Sequence, residues 1–271
     1  MNHWVNENTA SPLPAHSTHK AGDRNIPAPV SLCPEERRTE PAGKAERMTD
    51  AVIFDMDGLM FDTEAMTRDL WDTIGAETGY LHISVVMPET MGVRLGQEGG
   101  IFRKHFGSNF PYEAFIAEYR RRFAEKIDTE GVPVKEGLYD LLEYLKRENI
   151  PCAVASSTSR KKVLKYCDKA GVTGYFQKII CGDMVEKSKP DPQIYLTAAR
   201  ELGTAPERCM ALEDSPNGCL SAFRAGMKTV MVPDLVRPDE AACARLFACV
   251  PTLRDVIPLL EKLRAEEGGR Q

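Results

Sequence analysis

Hydrophobic and polar positions along the chain fall into two patterns that take turns. Short apolar runs at 51–54, 152–155, 178–181, 209–212 and 229–232 have the length of buried strands. Between them, apolar residues recur three and four positions apart. The clearest stripe is Leu138, Leu141, Leu142 and Leu145, which predicts a helix over 137–148. Further helices are predicted over 160–170, 192–202, 216–225 and 253–264, and Gly171 suits the left-handed turn that ends the first of these. Strands that alternate with helices read as a parallel sheet covered on both faces. This is a doubly wound α/β core, whose ligand crevice lies at the carboxyl ends of the strands.

One stretch breaks the alternation. After the first strand, helical periodicity fills 64–78, 96–105 and 112–126, with Leu70 and Ile74, then Phe115, Tyr119 and Phe123, on the inner faces. An all-helical insertion at this point forms a cap on two linker strands. The expected division is therefore an α/β core from 49–63 and 135–271, with a helical cap from 64–134. Residues 1–47 hold six of the 18 prolines and three of the five histidines without any amphipathic period, so 1–48 is expected to be a disordered tail. Met48, just before the first strand, is a candidate natural start.

Composition narrows the function classes. The formal net charge is −5, which gives no general attraction to nucleic acid or to an anionic membrane. No apolar run approaches the ~18 residues of a membrane helix, and the N-terminus lacks a signal-peptide core. A cytoplasmic monomer is expected. The eight cysteines include no C-x-x-C pair, and several sit in apolar runs, so they read as reduced, buried small hydrophobes. No histidine stands near the motifs below, which disfavours Ser-His-Asp or Cys-His chemistry.

Candidate chemistry gathers at the strand ends. Asp55 and Asp57 follow the first apolar run directly, and Gly58 lets the backbone turn away. Side chains two apart on an extended segment can share a side, and two carboxylates that close need a cation, a shared proton or basic neighbours. A bound Mg²⁺ is the economical answer. Ser156 ends the second run before a helix, where its hydroxyl and the free N–H groups can hold a phosphate; Ser157 or Ser159 would cap that helix. Lys189 precedes a helix with Pro192 at its first position and Asp191 as its cap. Glu213 and Asp214 end the fourth run, with Ser215 as cap and Pro216 behind it, and with Asp55 they offer the hard oxygen donors Mg²⁺ prefers.

The run Phe-Asp-Met-Asp-Gly-Leu-Met-Phe-Asp-Thr-Glu at 54–64 resembles the signature of the haloacid dehalogenase-like (HAD) superfamily, in the form of its β-phosphoglucomutase-like phosphatase subgroup. Ala-Ser-Ser-Thr at 155–158, Lys189-Pro190 and Glu213-Asp214-Ser215 resemble that family's second, third and fourth motifs, in order. The resemblance implies a Rossmann-like HAD core with an inserted helical cap. It also implies Mg²⁺-dependent hydrolysis of a small phosphorylated metabolite through an aspartyl-phosphate. By this likeness Asp55 is the nucleophile and Asp57 the acid and base. Ser156, with Ser157 beside it, and Lys189 hold the phosphate. Asp55, Asp57 through its carbonyl, Asp214 and Glu213 serve the metal. Gly92-Val93-Arg94 resembles the subgroup's substrate-specificity loop, so Arg94 is the cap's candidate substrate contact. A phosphomutase shares every core motif, but the histidine that β-phosphoglucomutase carries after the first motif has no counterpart in 64–68. A non-catalytic phosphate-binding protein is the remaining alternative.

Overall fold

The computed structural model describes residues 49–90, 98–234 and 236–268. Every described residue belongs to one unit. The expected tail and its Met48 start lie outside the described residues, and so does Arg94.

Six strands form one parallel sheet: β1 (Ala51–Phe54), β2 (Cys152–Ser156), β3 (Lys178–Cys181), β4 (Cys209–Glu213), β5 (Lys228–Met231) and β6 (Ala248–Cys249), in the order β3-β2-β1-β4-β5-β6. The strand β6 was not legible in the sequence; at two residues it is too short to show a period. Between β1 and β2 come α1 (Thr63–Thr78), α2 (Met87–Thr90), α3 (Glu98–Phe106), α4 (Tyr112–Glu130) and α5 (Leu138–Arg147). The later helices are α6 (Arg160–Lys169), α7 (Gln193–Leu202), α8 (Pro216–Arg224), α9 (Glu240–Cys243) and α10 (Val256–Gly268).

The two-residue period of β1 explains the layers. Val52 and Phe54 pack with Leu141 and Leu145 of α5, Val163 of α6 and Leu260 of α10, whereas Ala51 and Ile53 face Ile194 and Ala198 of α7 and Ala222 of α8. All four β1 residues are buried, as a central parallel strand requires. Truncating a fully buried side chain such as Phe54 to alanine costs about 3–5 kcal/mol. From β1 the sheet order runs outward through β2 and β3 on one side and through β4 on the other, so the gap between β1 and β4 is a topological switch point.

The helical cap has an aromatic core of its own. Trp71 of α1 meets Phe102 of α3 edge to face at 5.1 Å, and Phe102 stacks on Phe110 at 5.3 Å. Two paired linkers join cap to core: Phe61 forms an antiparallel bridge with Val134, and the Asp62 and Lys135 amides donate to the Pro133 and Met60 carbonyls, each at 2.9 Å. Among the described residues no helix is long and apolar enough to cross a membrane.

Candidate active site

Three strand ends converge at the switch point. Asp55 is the residue after β1, and its amide donates to the Leu212 carbonyl at 3.0 Å, so the ladder with β4 runs up to the carboxylate. Glu213 closes β4 and Asp214 follows it; Ser156 closes β2. Carboxylate oxygens of Asp55, Glu213 and Asp214 lie within 4.8 Å of one another.

Lys189 organises two of the three. Its ammonium donates to Asp55 Oδ1 at 2.5 Å, Glu213 Oε1 at 2.6 Å and the Ala155 carbonyl at 3.0 Å, and stands 4.9 Å above the ring of buried Tyr195. The Tyr195 hydroxyl also donates to Glu213 Oε1, at 2.7 Å. On the other oxygen, Glu213 accepts from the Ser215 hydroxyl at 3.1 Å and the Asp214 amide at 3.2 Å. Both oxygens of this fully buried carboxylate are thus occupied. Gly218 of α8 permits the close approach, since a β-carbon there would lie 1.9 Å from Glu213 Oε1.

Burial pushes the Asp55 carboxyl up to about 7, with Lys189 pulling it down and Glu213 and Asp57 pushing it further up. Burial also works against the charge of Lys189, but Asp55 and Glu213 outweigh it and hold the ammonium above the ordinary lysine range. The two tendencies conflict. The 2.5 Å contact favours the charged pair, because a charge-assisted bond is the stronger one for both groups.

Asp214 has no such partner. Its carboxyl is pushed up to about 9, first by burial and then by the charges of Asp55 and Glu213, and no cationic side chain among the described residues lies within ion-pair distance of it. A β-carbon on Gly58, whose φ is +83°, would lie 2.3 Å from Asp214 Oδ2, so the turn after β1 and the end of β4 press together. Hard oxygen donors, one of them without a counter-charge, fit a divalent cation such as Mg²⁺. Both oxygens of Glu213 already accept hydrogen bonds from protein donors, which leaves Asp55 and Asp214 the freer carboxylates of the three.

The Asp57 carboxylate stands apart from this trio. Its Oδ2 accepts from the Thr158 hydroxyl at 2.6 Å. Ser156 is buried and its Oγ accepts from the Thr158 amide at 3.1 Å, whereas Ser157 is exposed. Neither Ser157 nor Ser159 caps α6 through its side chain; Asp183, after β3, accepts from the Arg160 amide instead, at 3.1 Å. The helix α7 begins one residue later than predicted, and Asp191 Oδ1 accepts from the Gln193 amide at 3.0 Å.

Sequence reasoning missed several neighbours. Thr158 was one hydroxyl in a run of four at 156–159, and nothing marked it as the Asp57 partner. Tyr195 falls within the predicted helix over 192–202, where nothing in the sequence marks it as a partner of Glu213. Glu64, Lys135 and Asp234 also gather beside the site: Lys135 Nζ reaches Asp234 Oδ1 at 2.5 Å and Asp62 Oδ1 at 3.3 Å. Glu64 Oε2 and Asp234 Oδ2 are buried and have no donor among the described residues. Burial, then Asp234, pushes the Glu64 carboxyl up to about 7.

This architecture is that of a recognised class. Residues 52–232 match the haloacid dehalogenase-like hydrolase family, and the chain belongs to that family. The chain is accordingly a hydrolase enzyme, with β-phosphoglucomutase-like members among its structural neighbours. It is 33% identical to protein CbbY of Cereibacter sphaeroides over 73% of this chain and 90% of that one. It is 29% identical to a phosphorylated carbohydrates phosphatase of Thermotoga maritima over 67% of this chain and 83% of the other. Among solved structures, CbbY of Rhodobacter sphaeroides in complex with xylulose-(1,5)bisphosphate superposes with a TM-score of 0.60 at 29% identity, covering 77% of this chain and 96% of that one.

Proposed function

We propose that this chain is a Mg²⁺-dependent phosphatase that hydrolyses small phosphomonoesters, sugar phosphates above all, through an aspartyl-phosphate on Asp55. The observation that carries the reading is the Lys189 ammonium held between Asp55 and Glu213, beside an Asp214 carboxylate that has no cation of its own among the described residues. Asp55, ionised by that pairing, attacks phosphorus in line and displaces the alkoxide. Asp57, oriented by Thr158, gives the leaving oxygen its proton and then takes one from the water that hydrolyses the acyl phosphate. The released products are an alcohol and inorganic phosphate. Lys189, Ser156 and the N–H groups near Ser157 are assigned to the phosphoryl oxygens. Asp55, Asp214 and the Asp57 carbonyl would hold Mg²⁺, which when bound offsets charge on the phosphoryl group.

Names of relatives support the substrate class: one is a phosphorylated carbohydrates phosphatase, another a hexitol phosphatase, and a structural neighbour holds a sugar bisphosphate. The cap is taken as 64–134, with Arg94 as its substrate contact, and the protein as a cytoplasmic monomer with no nucleic-acid or membrane partner. The phosphomutase alternative is weaker, because the side chain that orients Asp57 is Thr158 and no histidine stands in 64–68. Incubation with β-glucose 1-phosphate and a trace of the bisphosphate, beside a panel of phosphorylated metabolites, tests the assignment. Free phosphate is expected from the panel; rapid glucose 6-phosphate without free phosphate would favour the mutase.

A further inference from the structure

The only covalent routes from the core to the cap are the two linkers, so whatever grips them sets where the cap stands over Asp55 and Asp57. They are paired to each other through the Asp62 and Lys135 amides. Phe61 of the first linker also bridges Asp57 and is buried in the core, which ties that linker to the turn after β1. A side-chain grip that holds both linkers has to come from elsewhere.

Asp234, on the segment after β5, supplies it. Its Oδ1 takes the ammonium of Lys135 at 2.5 Å, and that same ammonium lies 3.3 Å from Asp62 Oδ1, so one lysine ties both linkers to one core carboxylate. Asp62 in turn is the N-cap of α1 and accepts from the Ala65 amide at 3.3 Å. The pair is withdrawn from solvent, with side-chain exposures of 21% for Lys135 and 11% for Asp234, and so is weakly screened. The other oxygen, Oδ2, is buried, faces Glu64 in the first turn of α1, and lies 3.5 Å from where a β-carbon on Gly58 would be. One carboxyl group therefore binds the returning linker and lies beside the start of the cap's first helix and the turn that carries Asp57.

We infer that Asp234 is a positioning residue, which through Lys135 and Glu64 fixes the cap at the angle seen here relative to the Asp55 turn. Lys135 travels with the linker and Asp234 stays with the sheet, so any rotation of the cap about the linkers breaks their contact while leaving the sheet untouched. A contact made in one orientation and lost in others biases the population toward the first. With the lysine gone, three carboxyl groups, Asp62, Glu64 and Asp234, would face one another without a cation and drive the linkers outward.

Hydrogen exchange on the full-length protein tests this, because amide exchange reads local opening. In Asp234→Asn, and separately in Lys135→Met, the Asp62 and Lys135 amides are expected to exchange about tenfold faster, the size of a typical coupling between two states. Amides of β1 and β4 should keep the wild-type rate. The double variant should exchange no faster than either single one, since the two residues act through one contact. Unchanged linker exchange, a rise spread evenly over the sheet, or additive effects would each overturn the inference. The exchange readout holds whether or not the protein proves to be a phosphatase. Where it does, both variants should lower kcat more than they raise KM; a change in KM alone would count against a positioning role.

Discussion

The Thr158 hydroxyl donates to Asp57 Oδ2 at 2.6 Å, across 101 positions of sequence, and it is the side-chain contact that aims the proposed acid and base. A hydrogen bond to a charged group contributes about 1.5–3 kcal/mol, so Thr158→Val should slow phosphate release by roughly ten- to a hundredfold. The loss should be smaller with p-nitrophenyl phosphate than with an alkyl phosphate, since nitrophenolate leaves without a proton. Steady-state rates on the two esters check this; equal losses would free Thr158 from the role.

Lys189→Met should be costly to the fold as well as to the reaction. Its ammonium sits in a site where Asp55 and Glu213 are almost fully withdrawn from water, and removing one partner of a buried ion pair costs about 3–5 kcal/mol. Urea unfolding at neutral pH measures the loss. A change below about 1 kcal/mol would mean that the two carboxylates find relief elsewhere.

Gly58→Ala should weaken the metal site while sparing the sheet. Its left-handed backbone, at φ +83°, costs a side chain about 1–2 kcal/mol, and the new methyl would meet Asp214 Oδ2 at 2.3 Å. Because that oxygen ends a side chain, it can move aside, and the displacement then falls on a proposed ligand. Calorimetric titration with Mg²⁺ should show weakened binding with little change in circular dichroism; wild-type affinity would place the ligand elsewhere.

The acidic cluster should make the metal-free protein alkali-sensitive. The Asp214 carboxyl, which has no cationic partner among the described residues, is raised from an ordinary 3.8 to about 9. A raised carboxyl stabilises the fold fully below its unfolded value, and that contribution is lost as pH climbs through the folded one. Melting temperature without divalent cation should therefore fall between about pH 4 and about pH 9, and the gain on adding Mg²⁺ should grow over the same range as the cation replaces protons. Asp214→Asn should flatten both trends. A Mg²⁺ effect independent of pH would contradict the assignment.

Much of this was legible in the chain because its signals are local. Asp55 and Asp57 abut an apolar strand, Lys189 stands before a proline-started helix, and Glu213 and Asp214 close another strand, so the strand order had only to bring them together. The contacts that tune the site are long-range and carry no local mark. Lys135 and Asp234 are 99 positions apart, and Tyr195 reaches Glu213 across 18. Asp183 caps α6 from the end of the neighbouring strand β3, where serines beside the helix were the expected choice. The saturation of Glu213 by Lys189, Tyr195 and Ser215 follows from packing that spacing cannot express.

The nucleophile is the centre of the account, and Asp55→Asn tests it most directly. The amide keeps the shape of the carboxylate and accepts from Lys189 but cannot form an acyl phosphate. Phosphate release from a panel of small phosphomonoesters with Mg²⁺ should be readily measured for the wild-type protein and fall below detection for the variant, whose circular dichroism should match the wild type. Appreciable release by the folded variant would contradict an aspartyl-phosphate on Asp55.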